Sequence, residues 1–325
     1  MKRWRLDAIG PVRRAAALGL ILCALALPAT AGPQSVAPRT EAPGDGWLGF
    51  GRLLSDDVLA GPHDRWRTGA YQLSAVFGPR WDGRLPASPG TVIELRLRAE
   101  ALAPARLAFP APGDRRYAGV LSLGLHTPWA IGRSEAEAGL DLVAVGPQTG
   151  IDSLQDAIHC GFGKPLLGAD VLAAQLGNRL IPSLSAEIAR PLALGRNARL
   201  RPYLEARAGD ETLLRAGVDL DLGRLEPGAL WSRDTGTGWR YLTVKGPPAP
   251  GISLTLGADV AHVWDSAFLP PDGPAARDTR VRLRAGVSTR SRHLGVFYGL
   301  TWLGPEFEGQ PEGQLTGALR LTLEF

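Results

Sequence analysis

The chain has 325 residues, 45% of them hydrophobic and 21% charged, with a formal net charge of +4. Residues 1–31 hold five of the basic residues and one of the acidic ones, which leaves 31 of each sign and no basic bias toward nucleic acid. Of the two cysteines, Cys23 falls in the leader described next, so Cys160 alone cannot form an internal disulfide or, with so few thiols, a zinc cluster.

Lys2, Arg3, Arg5, Arg13 and Arg14 precede an unbroken apolar run over 15–27, and Ala29, Thr30 and Ala31 follow as small residues. This is the pattern of a cleaved secretory signal peptide over 1–31. Leu22 before Cys23 argues against a lipoprotein site. Residues 32–45 read as a loose Pro- and Gly-rich segment, and 46–325 as one domain.

From Trp47 onward the sequence alternates with period two. Near the C-terminus Leu315, Gly317, Leu319, Leu321, Leu323 and Phe325 oppose Thr316, Ala318, Arg320, Thr322 and Glu324. In 93–100, Ile93, Leu95, Leu97 and Ala99 oppose Glu94, Arg96, Arg98 and Glu100. A soluble sandwich also alternates. Its strands, however, run nearer ~5–6 residues, whereas these run ~10–12, the length that crosses a bilayer at a tilt. The polar faces carry both charge signs, as a salt-bridged lumen would. The expected fold is therefore an all-β transmembrane antiparallel barrel of about twelve strands. The strands are placed at 46–55, 68–78, 91–101, 116–126, 135–146, 179–190, 197–207, 212–222, 251–265, 279–290, 293–304 and 314–325. The stretch 223–250 fits this scheme poorly and is read as an extension of the ninth strand.

With an even strand number the odd connections face outward: 56–67, 102–115, 147–178, 208–211, 266–278 and 305–313. In the third of these the period changes. Leu154, Ala157 and Ile158 fall at helical spacing, Gln155 and His159 share a face as i and i+4, and Asp152 or Ser153 is placed to cap the start. A short helix in an extracellular loop is expected there.

Four polar clusters sit at outward strand ends: Ser55-Asp56-Asp57, Asp64-Arg65-Trp66-Arg67-Thr68-Gly69, Asp114-Arg115-Arg116-Tyr117-Ala118-Gly119, and the helix with Gln155 and His159. Singly, an Asp pair reads as turn chemistry and rim Asp–Arg pairs as weak surface ion pairs. His63, His126, His262 and His293 carry no such context. Cys160 diverges from His159 by about 100° around the helix and is expected to pack. The nearest approach to G-x-S-x-G is Gly132-Arg133-Ser134-Glu135-Ala136, on an inward turn, so a serine-hydrolase elbow is not supported.

In order and spacing, Asp-Asp after the first strand, D-R…T-G into the second, D-R-x-Y-A-G into the fourth, G-P…Q-x-x-x-H after the fifth and P-E-F-E-G-Q before the last resemble the outer-membrane lipid A 3-O-deacylase family. The resemblance runs from about Trp47 to Phe325. It implies a barrel that removes an ester-linked acyl chain from lipid A in the outer leaflet and needs calcium. It also implies His159 as general base beside Gln155, Thr68 and Arg115 in the site, and Asp56 and Asp57 at the metal. Three departures are visible. Asp56 stands where the family usually has asparagine, the D-R…T-G segment is one residue short, and residues 161–175 match poorly. Arg65, Arg67 and Arg116 are candidates to grip lipid phosphates as planar forks.

Histidine supplies a base near neutral pH, and calcium on hard oxygens supplies charge for a developing oxyanion. The expected protein is a monomer in the outer membrane of a Gram-negative cell, acting on lipopolysaccharide. Two alternatives share the location: an outer-leaflet phospholipase, and a non-catalytic barrel or small channel.

Overall fold

The computed structural model describes residues 46–247, 250–291 and 293–323. The expected signal peptide, the 32–45 segment and the terminal Glu324 and Phe325 lie outside the described residues. Among the described residues fifteen strands form, and they are numbered β1–β15 in chain order. The wall is a closed antiparallel barrel of twelve: β1 (Trp47–Asp56), β2 (Trp66–Phe77), β3 (Ile93–Ala103), β4 (Ala118–Ile131), β5 (Ser134–Val145), β6 (Arg179–Ala189), β8 (Ala198–Ala208), β9 (Glu211–Gly223), β12 (Gly251–Ser266), β13 (Thr279–Arg290), β14 (Leu294–Leu303) and β15 (Gln314–Leu323). Closure comes from β1 pairing with β15 and β6 pairing with β8, while β7 (Leu192–Ala193) only prolongs the β6–β8 hairpin.

Period-two alternation becomes radial direction. Leu95, Leu123, Leu125, Leu140, Leu142, Leu180 and Leu184 stand exposed on the outside as a lipid-facing belt, while Glu94, Arg96, Arg98 and Glu100 are buried inside. Trp47 and Phe77 lie together at one end of the wall, and Trp264 and Trp302 near the other, both ends being the usual place for aromatic girdles. Strand β4 runs past the expected 126 to Ile131. Its pairing with β3 stops at His126, so Pro128 needs no N–H on that side and still pairs opposite Glu137 of β5.

Residues 223–250 do not extend a wall strand. They turn back into the lumen as a hairpin, β10 (Leu230–Arg233) with β11 (Arg240–Val244). The hairpin lies on the inner face of β1, where Gly49 and Gly51 make room. A Cβ on Gly49 would stand 2.3 Å from the Thr243 carbonyl oxygen, and one on Gly51 would stand 2.7 Å from that of Leu242. Charged contacts pin it to the wall. Arg233 Nε donates to Glu187 at 2.6 Å and Nη2 to Asp219 at 2.7 Å, Gln72 donates to Asp234 at 2.8 Å, and Arg282 Nη1 donates to the Thr235 carbonyl at 2.8 Å. Around it, Asp259 accepts from Arg215 at 2.5 Å, from Arg282 at 2.9 Å and from Arg284. A hairpin and an ion-pair lattice thus fill the middle of the lumen.

Candidate active site

At one end of the barrel, called upper here, β1 finishes at Asp56 and a single 3-10 turn, Asp57–Leu59, follows. Asp56 is extended and caps that turn, its Oδ1 accepting from the Val58 N–H at 2.9 Å. Asp57 is buried. Its Oδ2 accepts from the Arg65 N–H at 2.8 Å and Gln314 Nε2 at 3.4 Å, whereas its Oδ1 is buried without a partner. Strand β2 then starts under strain: buried Trp66 has φ +54°, which a bulky side chain rarely adopts. One residue further the register with β3 jumps, Arg67 opposing Leu102 and Gly69 opposing Ala101. Thr68 is the unpaired extra residue of this bulge, which re-aims its side chain toward a cavity.

The loop helix spans Ile151–Phe162, as its spacing predicts. Gly150, in the left-handed region, stands at its N-cap with no side-chain cap, so Asp152 and Ser153 do not serve there: both already lie inside the first turn. Its buried face is polar at two of three positions, Ile151, Gln155 and His159. Leu154 and Phe162 are half exposed and, with Ile158, line the same cavity. Cys160 is exposed rather than packed, because the turn of the helix that buries His159 swings it outward.

The D-R-x-Y-A-G segment seats this helix. A Cβ on Gly119 would stand 2.5 Å from Thr149 Oγ1 and 2.8 Å from Ile151 Cβ, so only glycine lets the helix lie so close to β4. Tyr117 donates from its hydroxyl to Gln155 Oε1 at 2.9 Å, and burial pushes that phenol above its ordinary range. With Oε1 taken, the Gln155 amide nitrogen is a buried donor without a partner. After the left-handed Gly163 the chain folds back: Lys164 N–H bonds the His159 carbonyl at 2.9 Å, and the Leu167 N–H bonds Asp156 Oδ1 at 2.9 Å.

His159 lies 2.6 Å through Nδ1 from the Pro165 carbonyl oxygen, which can only accept, so Nδ1 carries a proton. Nε2 meets Asp64 Oδ2 at 3.0 Å, and Lys164 Nζ approaches the same oxygen at 3.6 Å. Burial works against the imidazolium. The Asp64 carboxylate and the Pro165 carbonyl outweigh it and hold the histidine above its ordinary range. Asp57 is pushed up to about 8, chiefly by burial. The Arg65 amide opposes the shift, and the Asp56 and Asp64 charges add to it.

These groups surround a cavity of about 350 Å³. Asp56, Asp64, Thr68, Gln155, His159 and Lys164 supply its polar points, and Leu54, Val58, Ala70, Ile151, Leu154 and Phe162 its apolar walls. A largely apolar slot with a few convergent polar groups is the usual form of a small-molecule site. The donor chemistry suits a hard cation. The acids are crowded, Asp57 Oδ1 is buried and unpartnered, and calcium prefers such oxygens. Among the described residues no three His, Cys, Asp or Glu side chains form a complete shell, so water or substrate oxygens would have to finish it.

Four of the residues singled out in the sequence thus meet at the cavity: Asp56, Thr68, Gln155 and His159. Asp57 lies behind the wall. Arg115 is buried beneath it, donating from Nη1 to Glu306 Oε2 at 2.8 Å, and Arg67 reaches Glu306 Oε1 at 2.7 Å and Glu100. Their shared partner Glu306, of the P-E-F-E-G-Q segment, is thereby held down at about 2 despite burial. Arg65 stacks over Trp66 at 4.3 Å and pairs with Glu312 at 2.8 Å, and Arg116 pairs with Asp272 at 2.9 Å on the rim. Sequence reasoning gave no role to Asp64, Tyr117 or Lys164. The first two lie inside motifs already singled out. Lys164 lies in the poorly matching 161–175.

The closed wall, the lipid-facing belt and the rim cavity define an integral barrel of the outer membrane with a candidate site at one mouth. The family model described as outer membrane protein LpxR matches residues 18–325, and the chain belongs to that family. In structure it is similar to LpxR from Salmonella typhimurium, with a TM-score of 0.71 at 16% identity over 85% of this chain and 100% of that one, which establishes the shared fold. The β-domain of the Bordetella autotransporter BrkA is more distant, with a TM-score of 0.44 at 9% identity over 86% of this chain and 100% of that one. No curated protein matches the chain in sequence.

Proposed function

We propose that this protein is a calcium-dependent ester hydrolase that removes the 3-O acyl chain of lipid A in the outer leaflet. The observation that carries the reading is the cavity itself. Four side chains from β1, β2 and the loop helix converge on an apolar slot that the half-exposed Leu154 and Phe162 border at the barrel's upper edge. An acyl chain can lie along the slot with its ester among the polar groups.

His159 is the base. The Pro165 carbonyl fixes its proton on Nδ1, so Nε2 is the atom that exchanges a proton with the cavity. When Asp64 gives up its hold, Nε2 takes a proton from a water that attacks the acyl carbonyl carbon. The same proton then passes to the sugar oxygen as the carbon–oxygen bond breaks. The Gln155 amide nitrogen, oriented by Tyr117, is a donor for the oxygen that becomes anionic, and the Thr68 hydroxyl is a second polar group beside it. Calcium held by Asp56 and Asp57 would add positive charge for that oxygen. Arg65 and Arg116, already at the rim, are the arginines placed to exchange their acidic partners for lipid phosphates.

Mass spectrometry of lipid A from cells with and without the protein tests this. Loss of one ester-linked acyl chain, abolished by His159→Ala and by chelating calcium, is the expected result. A lipid A profile that His159→Ala leaves deacylated would overturn the mechanism, and release of phospholipid chains instead would redirect the substrate.

A further inference from the structure

The lower half of the lumen holds a second cavity, of about 50 Å³, between the inner hairpin and the wall. Its lining carries three carboxylates, Asp219, Asp221 and Glu226, yet three donors in it stay unpaired. Arg320 Nη1, Trp231 Nε1 and Trp239 Nε1 are all buried hydrogen-bond donors, and none has a partner. Buried polar groups are rarely left so, and each such case calls for a ligand or water. Three donors around one small space, with two of them rigid indoles, call for an acceptor with several lone pairs.

Charge points the same way. Arg320 comes from β15 and Arg240 from β11, and their guanidinium carbons lie 5.1 Å and 5.7 Å from the centre of the Trp231 ring. Arg320 has no carboxylate within 4.0 Å among the described residues. Arg240 approaches one only at 3.9 Å, at Asp221 Oδ2, which Arg199 already holds at 3.0 Å. The other acids lining this cavity have nearer cations: Asp219 has Arg233 at 2.7 Å and Arg284 at 3.1 Å, and Glu226 has Arg290 at 3.0 Å, though its Oε2 makes no hydrogen bond. Buried Arg320 and partly buried Arg240 therefore lack a close counter-charge of their own, since the neighbouring acids lie nearer to other arginines. A water has room here, since it needs about 30 Å³ of liquid volume, but it supplies no charge.

We propose that this cavity is a binding site for one small inorganic oxyanion of the phosphate and sulfate class, held by Arg320 and Arg240 with the indole N–H groups of Trp231 and Trp239. Planar guanidinium forks suit the edges of a tetrahedral oxyanion. The ion bridges the hairpin, through Trp231, Trp239 and Arg240, to the wall, through Arg320. It therefore locks the plug in the lumen. The site is separate from the upper cavity, and its test does not depend on the hydrolytic activity.

The full protein, folded in detergent micelles in phosphate-free buffer at fixed ionic strength, is crystallised with selenate and its selenium located by anomalous diffraction. A peak within hydrogen-bond reach of Arg320 and Arg240, absent from Arg320→Gln, is expected. In parallel, 10 mM inorganic phosphate should raise the thermal unfolding midpoint of the parent by roughly 3 °C and leave Arg320→Gln unmoved. Arg240→Gln serves in the same two measurements should Arg320→Gln not fold. Ordered water alone at the site, or a selenate peak of equal height in the variant (an adventitious ion only), overturns the proposal. So does equal stabilisation of parent and variant by phosphate.

Discussion

In the mid-lumen one carboxylate, Asp259, is surrounded by Arg215, Arg282 and Arg284, whereas at the upper rim three carboxylates, Asp56, Asp57 and Asp64, crowd around one lysine, Lys164. Glu205 on Arg215 and Asp219 on Arg284 complete the first arrangement, so three carboxylates face three guanidiniums and the charge is balanced, as buried ions require. The second leaves charge unbalanced beside a cavity, which costs stability and is retained where chemistry or a cation uses it. The same residue types thus build a scaffold in one place and a candidate site in another, and charge compensation tells them apart.

The contrast breaks most sharply at His159. Its replacement by alanine should lower acyl release about 10³-fold or more while the barrel keeps its heat-modifiable mobility on gels. Asp259→Ala is the opposite experiment. Three guanidiniums would be left facing one another, and stability should fall by about 3–5 kcal/mol, read by urea unfolding in micelles. The folded fraction should keep its specific activity. Gln155→Leu should cost roughly 10²-fold in kcat with little change in KM, in a steady-state assay on lipid A.

Asp64→Asn sharpens the comparison by changing charge alone. Asp64 favours the imidazolium, so the base form of His159 accumulates only above the ordinary histidine range. The rate should therefore rise with pH through that elevated pKa. Without the carboxylate the pKa falls and the rising limb moves to lower pH, with the plateau altered a few-fold. A limb that stays in place would mean that Asp64 does not face His159 in the protein in solution. The smallest effect is expected at Cys160. A membrane-impermeant maleimide should label it on intact cells without loss of activity, which also fixes the outward direction of the loop helix.

The wall was legible because one physical signal, alternation between lipid and lumen, repeats in every wall strand. The expected strand bounds match the observed ones to within a few residues, β4 with its Pro128 apart. The inner hairpin gave no such signal. Its two strands are short and surrounded by protein, so Tyr241, Leu242, Thr243 and Val244 are buried in succession and the period disappears. At the site, helical spacing placed Gln155 and His159 on one face, which is local geometry. The partners of these residues were hidden because they depend on loop paths: Asp64 reaches His159 across 95 positions, and Arg115 meets Glu306 across 191. The bulge at Thr68 also has no marker in the chain, since it exists only in the register between two strands.

The seam between the first and last wall strands bears on how such a molecule is assembled. Among the described residues, β1 and β15 pair only at Leu54 with Leu319, Ser55 with Ala318 and Asp56 with Gly317, and the lower part of β1 is backed by the inner hairpin instead. That seam joins residues some 260 positions apart, so it is an entropically late contact. The hairpin lies between β9 and β12, inside the ring that the seam closes. It must therefore be in the lumen when the ring zips shut, or the ring must reopen to admit it. Folding should then show a slow final phase that mutations of the hairpin lengthen, with the rim at Asp56 the last part of the site to form.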